Sequence, residues 1–109
     1  SVFQKITKRK AYPVEIEGET LHVCEPTIGQ IERVRKLGGE QSTGLALALC
    51  VVSESGVPLF EIIDGESDED LANRVLVEAK DVTLSAIKAL SDAILKLSNP
   101  VKPDTVEKN

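Results

Sequence analysis

The sequence predicts an α+β fold, mainly helical, in which an N-terminal β-hairpin packs on about four α-helices. Three observations predict it. Apolar and polar residues alternate on either side of Gly18; eight consecutive uncharged residues run from Leu45 to Val52; and three further stretches repeat apolar residues at helical spacing between capping signals. The Leu and Ala content of the uncharged run favours a helix that is apolar all round, which has to be buried on most sides. Burying each of its three leucines is worth roughly 1.5–3 kcal/mol, so the flanking segments are arranged to cover this helix.

Residues 1–11 read as a flexible basic arm, in which Phe3 and Ile6 lie among Lys5, Lys8, Arg9 and Lys10. The single folded domain is expected over residues 12–99. Val14, Ile16, Leu21 and Val23 form one face of a hairpin that turns around Glu17, Gly18 and Glu19. The other face carries Glu15, Glu17, Thr20, His22 and Cys24, and Pro13 places the first strand at an edge. Pro26 stops the second strand. Thr27 with Gln30 at the third position makes a capping box, so a helix starts at Ile28. Its apolar positions are Ile28, Ile31, Val34 and Leu37, and Gly38 with Gly39 ends it. Glu40–Thr43 reads as a polar link, with Ser42 capping the central helix. After the turn at Gly56, Pro58 forbids helix and Leu59 and Phe60 return toward the core. Ser67 caps the next helix, whose first turn holds Asp68, Glu69 and Asp70 and whose apolar positions are Leu71, Val75, Leu76 and Ala79. Beyond a break at Asp81–Thr83, the last helix carries the stripe Leu84, Ile87, Leu90, Ile94 and Leu97 and ends at Asn99 and Pro100. Residues 100–109 read as a flexible C-terminal tail.

A chain of 109 residues holds one domain and one core. Aromatics are 3% and Trp is absent, so stacking platforms for single-stranded nucleic acid are not expected. A net charge of −5 argues against duplex binding, which needs a dominant basic face. The charge is uneven: the basic arm stands against an acidic patch of Glu61, Asp64, Glu66, Asp68, Glu69 and Asp70. The plain reading is solvated termini and a solvated loop; the alternative pairs the two head to tail between subunits. Cys24 and Cys50 lack the pattern of a disulfide framework, so a reduced, cytosolic protein is expected. The longest apolar run falls far short of the roughly 20 residues that cross a bilayer, and neither membrane nor export is indicated.

Chemistry is sparse. His22 and Cys24 point the same way on one strand, but a structural zinc site needs four ligands and a catalytic one usually three, so no metal or cofactor is expected. The same pair lacks an orienting third group and oxyanion donors, and no catalytic residue is assigned. The acidic run lacks the Asp, Asn and Gly spacing of an EF-hand, and Gly38–Gly39 is a helix stop in place of a phosphate loop. What remains is surface. Leu84, Ile87, Leu90, Ile94 and Leu97 are either a plain core face or a seam for another helix. With Lys5, Lys8, Arg9 and Lys10 they are the candidate protein-interaction residues.

An alternating hairpin leading to Cys24–Ile31, then the Leu and Ala helix, then Val52–Phe60 with its Gly56, Pro58, Leu59 and Phe60 turn, resembles the tail assembly chaperones of long-tailed bacteriophages and prophages. The likeness covers about Tyr12 to Asn99 and is one of elements and turns. It implies a non-enzymatic protein of the host cytoplasm, absent from the mature virion, that binds the tape measure protein and keeps its long helices soluble. It also implies recruitment of the tail tube protein, through a longer frameshifted form of which this chain is the short version. Self-association along an elongated client is expected too, because linked weak sites gain avidity. Another class fits the residues as well: a small acidic regulatory or antitoxin-like interaction module.

Overall fold

The structure is a computed structural model and describes residues 9–98. Most of the expected arm, with Lys5 and Lys8, and the expected tail lie outside the described residues. Among the described residues the fold is α+β, with a three-stranded antiparallel sheet and four helices.

Strand β1 (Ala11–Ile16) pairs with β2 (Glu19–Cys24), Ile16 facing Glu19 and Ala11 facing Cys24. The turn between them has Glu17 at φ 52° and Gly18 at φ 83°. Two consecutive left-handed residues twist a two-residue hairpin to match its strands. Helix α1 (Ile28–Leu37) starts with the expected reciprocal cap: Gln30 N–H donates to Thr27 Oγ1 at 3.2 Å, and Thr27 N–H to Gln30 Oε1 at 3.1 Å. Gly38, at φ 90°, turns the chain directly into α2 (Gly39–Cys50). The expected polar link is therefore helical. Ser42 does not cap it; its hydroxyl donates to Gly39 O at 2.8 Å inside the first turn.

The central helix also ends sooner than its apolar run suggests. Val51 and Val52 leave it as a short strand, β3, paired with β2 opposite Val23 and His22. Two β-branched residues lose less side-chain freedom in an extended chain than in a helical turn. The sheet order is β1-β2-β3, and the bridge from Val52 to Pro58 covers the outer side of β3. Helix α3 (Asp68–Glu78) is capped by Ser67, whose Oγ accepts from Asp70 N–H at 3.1 Å. Helix α4 (Leu84–Ser98) starts after Thr83, whose Oγ1 accepts from Ala86 N–H at 3.2 Å.

The core is centred on α2. Leu45, Leu47, Ala48 and Cys50 are buried there, joined by Val23 and Cys24 of β2, Val51 and Val52 of β3, Leu71, Ala72 and Val75 of α3, and Leu90 and Ile94 of α4. Helices α2 and α3 approach closely: a Cβ on Gly44 would lie 2.6 Å from Ala72 O and 3.0 Å from Leu76 Cγ. Two further expectations are overturned. Cys24, placed on the outer hairpin face with His22, is buried, because β3 and the end of α2 close over that end of β2. Leu59 stays largely exposed while Phe60 alone packs on the core, because Leu59 N–H is held to Val51 O at 3.1 Å on the sheet edge.

Candidate interaction site

Helix α1 packs on the core through Val34 and Leu37, neither of which is fully buried, and Ile28 is 78% exposed. Helix α4 reaches α2 from the hairpin side. Between the two flanking helices, α2 forms the floor of an open groove of about 350 Å³. Ile31 and Val34 line one wall, Ala46 and Leu49 the floor, and Ile94 and Leu95 the other wall. Leu95 is 60% exposed at the lip. Arg35, Ser42, Ser91 and Asp92 give the groove a polar rim. An apolar floor between two helices, with polar margins, is the shape that receives the apolar side of another helix.

The expected stripe on α4 sits differently. Leu90 and Ile94 are each 6% exposed and belong to the core, with Ile87 and Leu97 half-buried beside them. Most of the stripe is therefore the face by which α4 covers α2 and the hairpin, while Ile94 also lines the groove wall. Leu84 alone stays open, because it stands in the first turn of α4, outside the core. The residue at the groove lip, Leu95, lies off the stripe. A leucine on the polar side of an amphipathic helix was the signal in the sequence.

The basic candidates divide in the same way. Arg9 is spent on its own domain: Nη1 donates to Glu25 O at 3.1 Å and to Gln30 Oε1 at 2.8 Å, and Nη2 to Leu49 O at 3.3 Å. It ties the chain entering β1 to the capping residue of α1 and to the C-terminal end of α2, where unpaired carbonyls favour a cation. Lys10 places its ammonium 5.7 Å from the centre of the Tyr12 ring. Lys5 and Lys8 lie outside the described residues.

In the acidic segment, two carboxylates are matched. Arg74 donates through Nε and Nη2 to Glu66, at 3.0 and 2.7 Å, and Nη2 also reaches Glu61 O. Arg33 of α1 holds Asp68 at the start of α3, its shortest contact 2.7 Å. These hydrogen bonds hold both carboxyls below the usual carboxylate range. Between Val57 and Ile63, Val57, Leu59, Ile62 and Ile63 are open aliphatic side chains.

Both thiols are buried. Cys24 and Cys50 are free thiols in the core, and burial pushes both above the ordinary thiol value, Cys50 up to about 12. His22 is half-buried opposite Pro13 and Val52. Among the described residues no three His, Cys, Asp or Glu side chains are grouped to hold a metal ion, and no helix is long and apolar enough to cross a membrane.

No protein-family model, curated protein or solved structure matches the chain.

Proposed function

We propose that this chain is a non-enzymatic assembly chaperone of the phage-tail kind, which receives helices of a long apolar client, the tape measure protein, in the groove between α1 and α4. The observation that carries the reading is the groove itself: the most apolar helix of the fold is covered on its other sides and left open along this one. The order of hairpin, capped helix, Leu and Ala helix and Gly56–Phe60 turn supports the tail-assembly setting. Several chains side by side on one client hold it through many weak contacts, each needing only a short apolar segment. Recruitment of the tail tube protein belongs to the same proposal, as does a place of action in the host cytoplasm.

Co-expression with the long helical protein encoded nearby in the tail gene cluster tests it. The client is expected to aggregate alone and to become soluble and co-purify with this chain. Leu95→Glu puts a charge at the groove lip and is expected to abolish co-purification while leaving the melting temperature within a few degrees. A client that is equally insoluble with and without the chain would overturn the reading, as would a Leu95→Glu variant that captures it undiminished.

A further inference from the structure

The two cysteines stand 26 positions apart in sequence and face each other in the fold. The antiparallel register of β2 and β3 pairs His22 with Val52 and Val23 with Val51, so Cys24 and Cys50, the last residue of α2, are each the chain neighbour of a directly paired valine. The two thiols share one buried cluster beside this pair of valines. Both side chains are buried, at 2% and 1% exposure, and each thiol perturbs the protonation of the other. The Cys24 thiol is directed at Leu49 O, 3.9 Å away, the same carbonyl that accepts from the Arg9 guanidinium. The guanidinium therefore sits over the pair. The chaperone role makes no use of these thiols, and their chemistry is independent of it.

We propose that Cys24 and Cys50 form a reversible disulfide site that takes low-molecular-weight disulfides as its oxidant. In the first step a deprotonated Cys24 sulfur attacks one sulfur of the small disulfide. A bond forms between protein and small molecule, the original S–S bond breaks, and one small thiolate leaves. In the second step the Cys50 sulfur, having lost its proton, attacks Cys24 Sγ and expels the second small thiolate. The protein gives up two protons and two electrons, and the oxidant becomes two thiols. Cys24 is the entry sulfur because its thiol points at the carbonyl that the Arg9 guanidinium holds, so that release of Arg9 uncovers it. Burial and the Arg9 cover make the exchange slow in the closed fold, and opening of the Arg9 contacts sets its pace. In a reducing compartment the pair rests as thiols, its state in this structure, and responds when the thiol pool is oxidised. Closure ties β2 covalently to the end of α2, where Leu49 and Cys50 border the groove.

The test incubates the purified full chain with oxidised glutathione under native conditions and follows intact mass, peptide maps and melting temperature. The expected result is loss of two hydrogens with no glutathione retained and a single Cys24–Cys50 linked peptide. Dithiothreitol should reverse it, and the melting temperature should rise on the order of 10 °C. Cys24→Ser should close no ring and yield at most a glutathione adduct on Cys50. The proposal is overturned if two free thiols persist under conditions in which the denatured chain forms the bond. Adducts accumulating on both cysteines, or linkage only between chains, would overturn it equally.

Discussion

Helix α2 has two flanks, and they are built differently. Against α3 it presents Gly44, and α3 answers with Ala72, so that at this point backbone meets backbone with no room for a methyl group. Against α1 it meets only half-buried side chains, and a groove stays open between α1 and α4. One helix thus carries a closed seam and an open one. Small residues decide which is which: they let helices approach until dispersion contacts are complete, whereas larger aliphatics on a short helix hold it off and leave apolar surface for something else. Close packing is concentrated in the first seam, and open apolar surface in the second.

The largest effect is expected where α2 meets everything at once. Leu45 is fully buried, and Leu45→Ala should cost about 2–5 kcal/mol in a urea titration, with the spread set by how far the cavity collapses. Gly44→Ala tests the closed seam directly. Alanine is the better helix former by about 1 kcal/mol, so a gain would be expected on an open helix. Here the new methyl would meet the Ala72 carbonyl, and we expect a net loss of about 1–3 kcal/mol as α3 is pushed away. A stabilised Gly44→Ala would show that the two seams are alike and would break the comparison. On the open side, Val34→Ala removes two methyl groups from a half-buried site and should cost only about 1 kcal/mol.

The closed and open seams are unequally legible in the sequence. Caps and stops are local chemistry, and Thr27 with Gln30, Ser67 and the Glu17–Gly18 turn stand where their side-chain and backbone preferences put them. The Leu45–Val52 run marks the core, but a run without charges carries no period, so it does not announce that Val51 and Val52 turn extended to form a third strand. That turn is what buries Cys24 and brings it to Cys50. The α4 stripe is periodic as expected, and most of it packs on the core, because amphipathicity tells which face is apolar and not what covers it. The grip of Arg9 on three acceptors from distant segments is a tertiary fact with no local signature.

The smallest effect we expect concerns the pin that holds the open seam in place. Arg33 on α1 grips Asp68 at the head of α3 through two donors, joining the loosely packed helix to the closely packed one. The side chains are 45% and 31% exposed, so solvent screens the pair and its worth is under about 1 kcal/mol. Its sign with pH follows from the lowered pKa of Asp68 in the folded chain, caused first by the Arg33 hydrogen bonds. A depressed carboxylate contributes stability that is complete above its ordinary unfolded value and is lost as pH falls through the lowered folded value. Replacing Asp68 would also remove a favourable charge from the first turn of α3, so Arg33→Gln is the cleaner variant. The stability difference between the native chain and Arg33→Gln should be present at neutral pH, shrink in the acid range below the usual carboxylate value, and shrink with added salt. A difference independent of both pH and salt would mean that Arg33 holds α1 through the packing of its aliphatic stem, and that the open seam is kept in register by contact alone.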